Sequence, residues 1–224
     1  MDSHDRFYTK GEAYFAQPRP EMMRFVPAEA KRILDAGCGE GGFGSALKRE
    51  RGAEVWGIEI NPAAAKRAKK RLNRVIVADI QKGIARLPDG YFDCIVFNDV
   101  IEHLYDPYSM LAAMKQKLAP GGVFTASIPN VRHYYIMERY LVRGMWQYCD
   151  DGVLDRTHIR FFTLHSIREM FTSLGFDIVR IEGINPVKLF NFYFWNFITF
   201  GRLSDTKYQQ FACVVKPKKD SNGA

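Results

Sequence analysis

Three acidic residues, Asp35, Glu59 and Asp79, each close an apolar run, and together they could grip the polar parts of a nucleoside that carries a cationic chain. Asp35 leads into Ala36-Gly37-Cys38-Gly39-Glu40-Gly41, a turn whose glycines permit positive φ and let a ligand approach the backbone at Gly37, Cys38 and Gly39. A dinucleotide-binding turn also uses glycines, but it cradles a pyrophosphate, which a carboxylate two residues before the first glycine would repel. An acid in this place suits a ligand whose near end is a cationic amine. Glu59, about twenty residues past the turn, sits where one carboxylate can accept both ribose hydroxyls. Asp79 can accept from an adenine amino group, while Ile60 and Ile80 offer apolar surface to the two purine faces. The ligand that meets these demands is S-adenosylmethionine rather than NAD.

Parallel strands with helices between them would bring these acids to one sheet edge. Arg32 to Ala36 reads as a buried strand followed by a helix over Phe43 to Glu50. Glu54 to Ile60 and Arg74 to Ala78 read as the second and third strands. Phe92 to Asn98 reads as the fourth, adding Asn98 to the cofactor contacts before Asp99-Val100-Ile101-Glu102-His103 leads to a helix that Asp106 and Pro107 can start. Val123 to Ser127 is a fifth strand, with the preceding Pro-Gly-Gly closing a helix. Thr163 can cap a helix whose apolar stripe is Ile167, Met170, Phe171 and Leu174 and which Gly175 stops. Phe176 to Glu182 and Gln209 to Lys216 supply two final strands.

The segments Leu-Asp-Ala-Gly-Cys-Gly-Glu-Gly, Gly-Ile-Glu-Ile-Asn-Pro, Val-Ala-Asp-Ile, Asn-Asp-Val-Ile-Glu-His and Leu-Ala-Pro-Gly-Gly together resemble the class I S-adenosylmethionine-dependent methyltransferases. The resemblance implies an α/β, Rossmann-like doubly wound sheet of seven strands, the last antiparallel. It also implies that S-adenosylmethionine lies along the carboxyl ends of the first strands and leaves as S-adenosylhomocysteine.

Ligands of such a sheet lie over the carboxyl ends of its strands, so the insertion at 131–163 should build much of the acceptor pocket. Methyl transfer from a sulfonium is an in-line displacement in which the protein mostly aligns the nucleophile, and a hydroxyl acceptor also benefits from losing its proton as it attacks. His158 is the expected base, with Asp155 three residues earlier to orient or polarise it, and His103 is the rival. Leu-Asp-Arg-Thr-His-Ile-Arg-Phe-Phe-Thr, with Ser-Ile-Pro-Asn-Val-Arg-His upstream, looks like a bacterial subgroup associated with polysaccharide and O-antigen biosynthesis. That second resemblance implies a sugar or glycan-precursor hydroxyl as acceptor. A quinone or other small aromatic is the alternative, and a noncatalytic S-adenosylmethionine binder is a third reading. Arg19, after Tyr14-Phe15, could reach over the cofactor to its carboxylate. Asp150, Asp151 and His158 could in principle hold a metal, but consecutive carboxylates in a Gly-containing loop more often solvate a turn, so no metal is expected.

At 224 residues and 47% hydrophobic composition the chain can bury one full core, and a single domain over 1–224 is expected. No long apolar stretch follows Met-Asp-Ser-His-Asp-Arg, so neither a leader nor a span is expected at that end. Cys38, Cys94, Cys149 and Cys213 show no paired short spacing, which argues against zinc and disulfides and makes the cytoplasm the expected compartment. The net charge of +7 invites a nucleic-acid reading. However, Lys66, Arg67, Lys69, Lys70, Arg71 and Arg74 read as the wet face of a helix whose Ala64, Ala68 and Leu72 point inward, the tail Lys216-Pro-Lys-Lys219 is short, and no nucleic-acid-binding module is present. A second insertion, 184–207, opens at Gly183-Ile-Asn-Pro186 and carries the aromatic run Leu189 to Phe200, too short for a bilayer. Burial on the sheet edge or in a homodimer is expected of it. The other readings are a lid over the acceptor and a peripheral membrane contact beside Lys188 and Arg202.

Overall fold

The computed structural model describes residues 18–187 and 190–218, so Tyr14, Phe15, Lys188, Leu189 and Lys219 lie outside the described residues. Strands Arg32–Ala36 (β1), Glu54–Glu59 (β2), Arg74–Val77 (β3), Phe92–Asn98 (β4), Leu118–Pro129 (β5), Phe176–Pro186 (β6) and Tyr208–Pro217 (β7) form one sheet in the order β3-β2-β1-β4-β5-β7-β6. The first five pair in parallel and β7 runs antiparallel to both β5 and β6, the expected architecture. The central strands read as nearly continuous apolar runs because both faces are covered: Leu34, Ile95, Phe97 and Phe124 enter one core while Ile33, Val55, Cys94 and Val96 enter the other. The helices are Gly42–Arg51 (α1), Pro62–Ala68 (α2), the single turn Ile80–Gly83 (α3), Pro107–Lys115 (α4), Tyr134–Arg143 (α5), Leu164–Ser173 (α6) and Phe190–Ile198 (α7). Thr163 and Ser166 form a reciprocal capping box on α6, which buries Ile167, Met170 and Phe171 as its stripe requires. On α2, Ala64, Ala65 and Ala68 are buried while Lys66, Lys69 and Lys70 face water, the solvated face expected.

Two strands are longer than expected. Leu118-Ala-Pro-Gly-Gly does not close the preceding helix but starts β5, with a register shift opposite Phe92 and Cys94. A Cβ on Gly122 would lie 2.8 Å from the Phe92 carbonyl oxygen, and Gly121 has φ +81°, so the glycine pair forms a bulge where two backbones close up. Gly183-Ile-Asn-Pro186 likewise belongs to β6, paired to β7 through Ile184↔Gln210 and Pro186↔Tyr208. This removes 184–186 from the second insertion. Proline is tolerated there because β6 is an edge strand.

Both insertions contain helices whose apolar residues are mostly uncovered. Tyr134–Arg143 was expected only as pocket-forming chain; it forms a helix that leaves Tyr135, Tyr140, Leu141 and Val142 exposed. The expectation that the aromatic run is buried by the chain's own core fails. Phe192 is buried against Tyr134, but Tyr193, Phe194, Trp195, Phe197 and Phe200 are exposed, because a helix with only Asn191 and Asn196 among its apolar and aromatic residues has too little polar surface to turn outward and only one side meets the body. We therefore expect Trp195→Ala to shift stability by no more than about 0.5 kcal/mol and Phe192→Ala to cost about 3 kcal/mol. Thermal melts of the two variants check this, and a large loss for Trp195→Ala alone would contradict the packing. No helix among the described residues is long and apolar enough to cross a membrane.

Candidate active site

The turn after β1 crosses the end of β2, where the amides of Gly37 and Cys38 both donate to the Ile58 carbonyl, at 2.9 and 3.0 Å. Gly37 has φ +75°, and a Cβ there would stand 2.7 Å from Val100, so only glycine fits. This crossing opens a cavity of about 520 Å³ over the strand ends. Every residue that the sequence proposed for cofactor binding or catalysis lines it.

Glu59 is 4% exposed and is held from two sides, accepting from Gly39 N–H at 2.8 Å and Asn61 N–H at 2.7 Å. Burial raises its pKa, and these amide bonds oppose the rise. Asp35 is buried at the head of α1, whose first cap, Gly41, has no side chain, and accepts from the Gly44 amide. Burial first, then the like charge of Glu59, pushes the Asp35 carboxyl up to about 7. Asp79 caps α3 by accepting from Gln81 N–H at 2.8 Å, with Ile80 at the first position of that turn. The cradle thus combines backbone close approach with the buried carboxylates of Asp35 and Glu59 and the half-buried Asp79, a set of acceptors that suits an adenosyl group bearing an ammonium.

At the other end the chain reaches from β4 to the insertion. Asp99, which the sequence reading passed over, takes φ +55° directly after Asn98 and is half-buried against Arg19. Arg19 does reach the cavity, but its guanidinium is engaged by protein groups: it donates to Asp99, to Ser127 Oγ at 3.1 Å and to Gln210 Oε1 at 3.1 Å, and it pairs in charge with Glu21 at 2.7 Å. Burial raises the Asp99 pKa while Arg19 opposes it.

Next to Asp99, the turn Ile101–His103 meets the returning loop 153–160. Amides of Ile159 and Arg160 both donate to the Glu102 carbonyl at 3.0 Å. His103 Nδ1 lies 3.0 Å from the Thr157 carbonyl and His158 Nδ1 lies 2.9 Å from the Val153 carbonyl. A carbonyl only accepts, so both imidazoles carry their proton on Nδ1 in this arrangement. The two rings meet edge to face with centroids 4.7 Å apart, and His158 Nε2 stands 3.8 Å from Glu102 Oε1. Val153 thus supplies the acceptor that sets the His158 tautomer, while the Asp155 carboxylate accepts from Thr157 N–H at 2.8 Å and Thr157 Oγ1 at 2.7 Å. Asp155 stabilises the loop that carries His158. Glu102, the second residue passed over, is 1% exposed, and burial, then the charge of Asp99, drives its pKa well up. Its signal was the acid beside His103, one turn past a strand end.

Against known proteins, the profile of the family described as Methyltransferase domain matches residues 9–181. The chain belongs to that family. It is 29% identical over 152 residues to a probable S-adenosylmethionine-dependent methyltransferase of Mycolicibacterium smegmatis, covering 68% of this chain and 54% of that one. It is 33% identical over 131 residues to the trans-aconitate 2-methyltransferase of Methylobacterium radiotolerans, covering 58% and 50%. A ubiquinone biosynthesis O-methyltransferase of Psychrobacter arcticus is 29% identical over 167 residues, covering 70% and 64%. The chain therefore spans about half to two thirds of the length of these curated relatives. Among solved structures, a SAM-dependent methyltransferase from Archaeoglobus fulgidus has the same fold, with TM-score 0.67, 21% identity and coverage of 95% of this chain and 97% of that one. The buried carboxylates of Asp35 and Glu59 fit the S-adenosylmethionine that the name of the Mycolicibacterium smegmatis relative specifies.

Proposed function

We propose that this methyltransferase carries the methyl group of S-adenosylmethionine to a hydroxyl oxygen of a small molecule, and that the acceptor is a sugar or glycan precursor. The observation that carries the oxygen assignment is the cluster of buried Glu102 and His158 with half-buried His103 at the cavity wall, because a hydroxyl must shed a proton when alkylated. S-adenosylmethionine supplies an electrophilic methyl whose bond to sulfur breaks as the bond to oxygen forms. In this reading Asp35 faces the ammonium, Glu59 accepts the ribose hydroxyls, Asp79 accepts from adenine and Ile60 and Ile80 cover its faces. The turn at Gly37, Cys38 and Gly39, with Asn98, closes on the amino acid chain. The proton leaves at the cluster, where His158 Nε2 is the neutral acceptor and His103 its rival. Polar groups supplied by Asp99, Asp151, Asn185, Gln209 and Gln210 suit an acceptor with several hydroxyls. A quinone-precursor phenol is the second reading, favoured by the relatives named ubiquinone biosynthesis O-methyltransferase. Incubation with nucleotide sugars and with quinone-precursor phenols, read by the mass gain of one methyl group, separates the two. Methylation of phenols alone would replace the sugar assignment.

The placement of Asp35 also predicts a pH profile. Its folded pKa of about 7 lies above the ordinary 3.8, so in the free protein the ionised form opposes folding, a penalty that grows as pH rises from 3.8 to about 7. A bound ammonium favours the ionised form. S-adenosylmethionine affinity should therefore weaken as pH falls below about 7, by up to about tenfold per unit. Asp35→Asn should flatten that dependence in calorimetric titrations, and an equally steep profile in the variant would remove Asp35 from the ammonium.

A further inference from the structure

We propose that Glu102, His103 and His158 bind a divalent cation at the acceptor end of the cavity. One ligand atom from each of the three residues lies within 4.8 Å of the others. Nitrogens and oxygens bound at about 2.1 Å to one ion stand at most about 4.2 Å apart, so the cluster needs to contract only modestly to hold it.

Two independent features point to an ion rather than to an incidental grouping. Among the described residues neither carboxylate oxygen of Glu102 has a hydrogen-bond partner, although the side chain is 1% exposed and faces the two imidazoles. A buried carboxylate left so is costly, and a cation offsets that cost. Each imidazole, moreover, turns Nδ1–H onto a backbone carbonyl, of Thr157 for His103 and of Val153 for His158, so that in the neutral ring Nε2 carries the lone pair. That is the outer-shell arrangement by which metal-binding histidines are oriented. The three residues come from a short turn and from the loop stitched to it by the two amide bonds on the Glu102 carbonyl, so the ligands already stand close together before any ion arrives.

Two imidazole nitrogens and one carboxylate favour Zn²⁺, Mn²⁺, Co²⁺ or Fe²⁺ over Mg²⁺ or Ca²⁺. Three protein ligands leave positions open toward the cavity that all three residues line. The inference rests on the methyl-transfer reading and refines it: His158 then spends its lone pair on the ion, and the ion acidifies the acceptor hydroxyl, whose proton leaves to water. This set differs from the Asp150, Asp151 and His158 grouping considered from sequence. Asp150 is drawn to Arg156 at 3.0 Å, on the surface.

The test is a titration of Mn²⁺ into chelator-treated full-length protein, followed by electron paramagnetic resonance, with Zn²⁺ and Mg²⁺ as competitors. One Mn²⁺ should bind per chain and be displaced by Zn²⁺ far better than by Mg²⁺. Glu102→Gln, which keeps the side chain's shape, and His103→Asn should each weaken Mn²⁺ at least about tenfold while S-adenosylmethionine still binds. Absence of stoichiometric Mn²⁺ binding to the wild-type protein, or binding unchanged in both variants, would overturn the proposal. Undiminished methyl transfer in excess chelator by protein that binds no Mn²⁺ would remove the ion and leave the transferase reading standing; Mn²⁺ binding without methylation of any hydroxyl would do the reverse.

Discussion

His158→Ala is expected to lower kcat by about a hundred- to ten-thousand-fold and to leave S-adenosylmethionine affinity nearly unchanged. The residue is 8% exposed and its Nε2 stands 3.8 Å from the buried Glu102 carboxylate, so in the proposed reading its removal deletes the group that takes the acceptor proton, or a ligand of the ion that acidifies the acceptor, without touching the cradle over β1 and β2. The same separation predicts that the loss falls in kcat and not only in KM. Single-turnover kinetics with a saturating acceptor, alongside calorimetry, measure both. If His158→Ala turned over near normally while His103→Ala were inactive, the role would pass to His103, whose ring lies 4.7 Å away, centroid to centroid.

Glu59→Ala should act at the other end and weaken S-adenosylmethionine by about thirty- to a hundred-fold. Two charge-assisted bonds to the ribose are lost, worth about 2 to 3 kcal/mol together. The Gly39 and Asn61 amides that Glu59 ties down are released as well, so the turn itself loosens. Glu59→Gln keeps the shape and one acceptor oxygen, and should fall between the wild type and alanine. Unchanged affinity in a folded Glu59→Ala protein would take the ribose away from this residue.

The acids of the cofactor end were legible because each ends a run of buried strand residues, and in a parallel sheet strand ends fall on one edge. The acceptor end was only half legible. His103 and His158 announce themselves by residue type, but what orients them are carbonyls of Thr157 and Val153, which carry no side-chain signal. Asp99 was missed because its partners, Arg19 and Gln210, stand 80 and 111 positions away. Glu102 looked like an ordinary acid until the 153–160 loop closed over it. The aromatic helix α7 misled for a different reason. Composition says how strongly a segment avoids water, not whether the chain has a surface free to cover it, and here only Phe192 among the side chains described on α7 is buried.

The central claim, transfer of a methyl group to oxygen, is tested most directly by locating the transferred carbon. S-adenosylmethionine carrying a ¹³C-labelled methyl group is incubated with the protein and an extract of its native cells grown without its gene, and the products are read by carbon NMR. The label should appear as an O-methyl group, and only when the wild-type protein is present. A label on nitrogen or on carbon, or no label beyond that of the extract alone, would contradict the account.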